Sequence, residues 1–297
     1  MTITTGTHTT GADGLPDPAA DYGLYGPYSV TWRVMPTPIM WVAGFRALYL
    51  QMLHPRVMRG TWQNTAFADP KQAWGRFVRT TEFVVTRTYG SLAEVERAGH
   101  RVRSLHSHLR GTDPDGTEFR LNQPELLMWV HCTEVASYAG MARRVGLAVT
   151  PAELDAFVAE QRRSAALVGL DPQTVPASVA AVEDYLTSMR PQLAVTPEAR
   201  QALLQGFLNP TVPMPVKVVL PGLAALGFAS LPRWARRLFR MPGSPLTDLA
   251  TTVSLRALHE STNRIPGSPL LDPSVRSARD QARAVHQEHL ASLAAAS

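Results

Sequence analysis

The sequence predicts an all-α protein on three observations. Helix starts and stops recur at helix-length intervals, the apolar residues between them repeat at three- and four-residue steps, and alternating runs are missing except at 116–121. No segment repeats at a fixed period. With 297 residues, 45% apolar and 18% charged, the chain can bury a sizeable core as a single globular helical domain over 21–297. Residues 1–20, rich in Thr, Gly and Asp and without an apolar stretch, read as a disordered leader and not a signal peptide.

The elements follow in order from local chemistry. Between 37 and 60, Trp41, Phe45, Leu48, Leu50 and Met52 cover most of a helix surface, implying a buried helix. It ends near His54–Pro55, because a residue before proline avoids the helical region. Asp69–Pro70 starts the next helix, over 71–89, with proline in the first turn. Gly90 stops it, and Ser91 with Glu94 makes a capping box for a helix reaching about Arg110. Gly111 and the turn from Asp113 to Gly116 close that one. Pro124 opens a helix through Trp129 and His131 to Arg144, and Thr150-Pro151-Ala152-Glu153 opens another. Helices over 176–189 and from Thr196-Pro197-Glu198 follow. Proline then punctuates the chain from Pro210 to Leu246, and helices over 249–263 and from 272 onward complete it.

Composition removes several function classes. Lys+Arg 29 against Asp+Glu 24 gives +5, yet no basic run of the nucleic-acid type occurs, so nucleic acid is not an expected partner. The single cysteine, Cys132, excludes a disulfide framework and a Cys-based zinc or iron–sulfur site, which suits a cytoplasmic protein. No phosphate loop, dinucleotide fingerprint, HExxH or GxSxG is present. The apolar run 216–231 is interrupted by Pro221 and falls short of the about 20 residues that span a bilayer. It reads as a buried hairpin near the core. Alternatively, with Trp234 and the arginines 233, 236, 237 and 240 behind it, segment 216–240 rests on a membrane surface.

Histidine is the residue type left to carry chemistry. Of nine, His54, His100, His106, His108 and His131 crowd the N-terminal half. In the helix after Ser91, the residues Val95, Ala98, Val102, Leu105 and Leu109 define a buried stripe. At about 100° per residue, His106 falls roughly 60° from the centre of that stripe and His100 nearly opposite. On that edge the His106 ring either satisfies itself in the core or reaches a cofactor. His108 diverges from it, so the pair does not chelate jointly. His131 sits in a run apolar nearly all round, where its ring has to hydrogen-bond or ligate. In the preceding helix Arg76 and Thr80 share a face with Arg79 beside them, a combination suited to propionates, an anionic substrate or oxygen.

These segments, taken together, resemble the haem-dependent oxygenases of the mpaB and latex-clearing-protein type. The resembling stretches are Gly26-Pro27-Tyr28-Ser29 with Trp32-Arg33, then Gln51-Met52-Leu53-His54-Pro55, then Arg76-Phe77-Val78-Arg79-Thr80. Tyr89-Gly90, the run from Val102 to Gly111 and the run from Pro124 to His131 continue the series, and their order and spacing carry the likeness. The resemblance implies an all-α fold with a buried pocket for haem b, its iron ligated by His106. It also implies Arg76, Arg79 and Thr80 on the oxygen-binding side, with Arg103, His54 and His131 around the cofactor and His131 as reserve ligand. Arg79 stands where the rubber-cleaving members carry lysine, which argues against rubber as the substrate.

The expected activity is therefore a bacterial-type haem oxygenase acting with oxygen on a hydrophobic, isoprenoid- or lipid-like small molecule, by cleavage of a carbon–carbon double bond. A non-catalytic, membrane-peripheral protein that sequesters a lipid or isoprenoid is the rival. A non-haem metal enzyme using His54, His106 and His131 is the second, although no carboxylate stands at ligand-like spacing to them.

Overall fold

The computed structural model describes residues 15–17, 19–64, 70–208, 214–264 and 273–295. Most of the predicted leader, residues 1–14 and 18, lies outside them. The described residues form an all-α domain of thirteen α-helices with one 3-10 turn and one small hairpin.

A short helix, α1 (Val30–Val34), starts at Ser29, whose Oγ accepts from the Trp32 N–H at 3.2 Å. The helix expected to end near His54–Pro55 is α2 (Met40–Gln51), and a second helix not anticipated, α3 (Pro55–Asn64), follows it. The chain does leave the helical path before Pro55. Proline then serves as the first residue of a new helix, where its missing N–H leaves nothing unsatisfied. Next come α4 (Pro70–Tyr89) and α5 (Leu92–His108), the second opened by the Glu94 carboxylate accepting the Ser91 N–H at 2.9 Å. That helix stops two residues before the expected Arg110, which instead begins β1 (Arg110–Thr112). β1 pairs antiparallel with β2 (Glu118–Arg120), inside the stretch suspected as a strand. Gly111 lies opposite Phe119, whose ring occupies the space a Cβ at 111 would need.

The remaining helices are α6 (Pro124–Val145), α7 (Pro151–Val168), α8 (Val179–Met189), α9 (Pro197–Leu208), α10 (Met214–Ala229), α11 (Arg233–Leu238), α12 (Pro245–Arg264) and α13 (Pro273–Ala295). A 3-10 turn, Arg190–Gln192, follows α8. Thr150 and Glu153 close the expected capping box on α7, with bonds of 3.2 and 2.7 Å. α6 carries the apolar run 126–132 and buries residues along most of its length; α2, α7, α8 and α12 pack on it. α5 lies against α4 and α7, and α10 lies on α2.

The expected core hairpin in 216–231 is instead one helix that continues through Pro221. Its second half is anchored by buried Leu223 and Phe228, with Leu231 buried just beyond, whereas Val218 near its start is 77% exposed. Proline costs that helix one backbone bond, and packing on α2 holds the turn that would otherwise break. Among the described residues no helix is long and apolar enough to cross a membrane.

Candidate active site

α5 buries the face that periodicity indicates, rotated by about 30°. Leu105, placed in the stripe, is 58% exposed, while Val95, Ala98 and Gly99 are buried and Val102 and His106 half-buried. The cause is Gly99. With no side chain there, α7 comes close enough that a Cβ on Gly99 would lie 3.1 Å from Leu167 Cδ2. The helix is turned accordingly, and at about 100° per residue His106 lies roughly 30° from the centre of the buried face. Arg103, one turn before it, braces the same seam: its Nη1 donates to the Leu167 carbonyl at 3.0 Å.

His106 is the most suggestive group so placed. Its Nδ1 is buried and has no hydrogen-bond partner among the described residues, an uncommon state for a polar atom without a task. Burial, with Arg76 adding to it, lowers the pKa of the ring and favours the neutral form. A neutral imidazole with a free lone pair is what a metal ion requires of histidine.

Arg76 reaches this region from α4. Its Nη2 donates to Thr61 Oγ1 on α3 at 3.4 Å, and burial, followed by repulsion from Arg79, lowers its pKa to about 10. Three helices thus bring Arg76, His106 and Thr61 together; Thr61 is invisible to sequence reasoning because no spacing rule links 61 to 76. Arg79 and Thr80 are exposed on the same helix, and the Thr80 hydroxyl donates to the Arg76 carbonyl at 3.0 Å. That bond leaves the oxygen lone pairs of Thr80 as acceptors. Behind them, Phe77 stacks on Phe45 and Trp74 with ring centroids 5.7 and 5.4 Å apart, tying α4 to α2.

The other histidines sit apart. His54 caps α3: its Nδ1 accepts the Val57 N–H at 3.4 Å, and its ring centroid lies 6.2 Å from that of Trp129. His131 is buried in α6 and forms no hydrogen bond among the described residues. Burial, with Arg87 as a lesser cause, lowers its pKa to about 3. Arg87 itself pairs with Glu134 at 2.6 Å. Among the described residues no three His, Cys, Asp or Glu gather as a metal site, so His54, His106 and His131 do not form a three-ligand centre.

A pH dependence follows from His131. With a folded pKa of about 3 against 6.5, the folded state binds fewer protons than the unfolded state between those values. Stability is therefore full above pH 6.5 and falls as the pH drops towards 3. Between about pH 7 and pH 5 this ring should cost the apoprotein roughly 2 kcal/mol. Urea denaturation at the two pH values measures it, and His131→Phe should remove that part of the loss. An unchanged loss in the variant would assign the effect elsewhere.

Residues 32–263 match the family model described as ER-bound oxygenase mpaB/B'/Rubber oxygenase, catalytic domain. The chain belongs to this family. The match spans most of the sequence and includes Arg76, Arg79, Thr80, Arg103, His106 and His131 as well as the capping His54. Neither a curated protein nor a solved structure matches the chain. Membership in the mpaB/rubber-oxygenase family makes this an oxygenase domain, an oxidoreductase, with oxygen and a small molecule as its reactants.

Proposed function

We propose that the protein is a haem b-dependent oxygenase acting on a hydrophobic, isoprenoid- or lipid-like molecule, with His106 as the iron ligand. The observation that carries this reading is the His106 ring: neutral by environment, set near the middle of a buried helix face, with Nδ1 unpaired. When bound, haem b supplies the redox iron with which oxygen is activated to cleave a carbon–carbon double bond.

The chain's own residues do the rest. Arg76, fixed by Thr61, keeps positive charge beside His106, and Arg79 adds a second guanidinium on the same helix. Charge placed in advance where negative charge develops on oxygen stabilises the transition state without reorganisation. Thr80 offers acceptor lone pairs that orient a protonated group, and Arg103 holds α5 in register on α7. His131 stays neutral and is the reserve ligand. The test is the absorption spectrum of the purified protein with metal analysis. A Soret band with one iron per chain is expected; colourless, iron-free protein that takes up no added haem would reverse the reading in favour of a lipid-binding protein.

A second reading concerns location. Val218 and Val219 on α10 and Leu246, Leu249 and Val253 along one face of α12 are exposed, and Arg237 and Arg240 lie exposed between these helices in the chain. Such a surface lets a cytoplasmic enzyme rest on anionic lipid and draw an insoluble substrate from it. Flotation with anionic liposomes should show binding at low salt that is lost at high salt. No binding at low salt would leave the substrate to arrive through solution.

A further inference from the structure

Away from His106, a cavity of about 640 Å³ opens between α2, α6, α7, α8, α11 and α12, within the size range of small-molecule sites. Its wall has two characters. Leu154, Val158, Val182, Leu186, Leu231 and Trp234 make one part apolar. Arg46, Arg143, Arg144, Arg190, Arg233 and Arg236 make the other cationic, against two carboxylates, Glu183 and Asp248.

Both carboxylates are already engaged. Asp248 pairs with Arg233 at 2.7 Å and with Arg236, and Glu183 pairs with Arg143 at 3.4 Å. Arg144 is held by neutral oxygens, the Thr252 hydroxyl and the Ser230 and Asp248 carbonyls. Arg190 lies over the Trp234 ring, 5.2 Å from its centroid. Arg46 differs from all of these. Its Nη1 donates to the Ala136 carbonyl at 2.9 Å, and it lies so close to α6 that a Cβ on Gly140 would stand 3.1 Å from that nitrogen. The charges acting on it are Arg144 and Arg143, both repulsive, and with burial as the larger cause they lower its pKa to about 10. A half-buried guanidinium, repelled by its neighbours and offered one carbonyl, is poorly compensated until an anion joins it.

We propose that this cavity binds an amphipathic anion: a carboxylate or phosphate head received by Arg46, with Arg190 adding positive charge from the same wall, and an apolar chain received by the Leu and Val residues. Guanidinium forks suit either head, since both present two oxygens in one plane to paired N–H donors. The site is independent of the haem reading, because none of His106, Arg76, Arg79 and Thr80 lines it.

Isothermal titration of the full-length protein with dodecanoate, dodecyl phosphate, dodecanol and inorganic phosphate tests the proposal. One or both dodecyl anions should bind one to one, at least tenfold more tightly than dodecanol or phosphate. The tighter of the two names the source, a fatty acid or a phosphorylated lipid. Arg46→Gln should weaken the anion at least tenfold and leave dodecanol unchanged. Should that variant misfold, Arg190→Gln, at an exposed position, makes the same measurement. Equal binding of dodecanol and the anions would overturn the proposal. So would binding of neither anion, tight binding of phosphate alone, or an unaltered affinity in the variants.

Discussion

His106→Ala protein should purify without its Soret band, or with the band strongly shifted, while its far-ultraviolet circular dichroism stays that of the parent. The expectation separates ligand from scaffold. His106 makes no hydrogen bond through Nδ1, so its removal breaks no buried polar pair. The packing of α5 is carried by Val95, Ala98, the Gly99–Leu167 approach and the Arg103 bond to Leu167. A truncated ring leaves a space, which costs stability on the scale of about 1–3 kcal/mol for a mutation of this kind, too little to unfold a domain of this size. Full haem occupancy with an unchanged spectrum would transfer the ligand role to His131. His131→Ala then becomes the decisive variant, because that ring is also neutral and unpaired in the core.

Arg76→Ala and Arg79→Ala should each lower turnover by about a hundred- to a thousand-fold while haem content stays near that of the parent, as expected for loss of a preorganised charge at the reacting group. The two are not equivalent. Arg76 is partly buried against α3 and its charge already bears on the His106 ring, so its loss should also raise the His106 pKa. Arg79 is exposed, so its loss should leave the fold untouched. Turnover of a confirmed substrate at the parental rate by the Arg79 variant would remove that residue from the chemistry. Haem loss in the Arg76 variant would make Arg76 a cofactor anchor.

Helix beginnings are legible in this sequence because their chemistry is local. The Ser91–Glu94 and Thr150–Glu153 boxes and the prolines at 70, 124, 151 and 197 all stand where the sequence places a start. What escapes it depends on distant contacts. The helix end before Pro55 is legible, but α3 beyond it is not, because the apolar periodicity that marks α2 does not continue as a separate signal there. β1 is concealed because Arg110 and Gly111 look like the frayed end of a helix, and only pairing with β2 makes them a strand. Pro221 suggests a break, yet packing on α2 keeps α10 whole. The candidate site divides in the same way. The proximity of Arg76 to His106 follows from neighbouring helices, but the angle of α5 depends on Leu167, sixty-eight positions from Gly99 and far beyond any local window. His54 looks like a ligand by composition and is a helix cap by position.

The seam between α5 and α7 has one more consequence. Gly99 and Arg103 lie two turns and one turn before His106, and both meet Leu167 of α7. A methyl group added at 99 would stand 3.1 Å from Leu167 Cδ2 and 3.2 Å from Arg103 Nη1, so the seam that carries His106 would have to give by a few tenths of an ångström. The bearing of the proposed ligand is therefore an inherited property of a groove two turns away. Substitution at 99 or 167 would then alter the setting of His106 with every residue beside it unchanged.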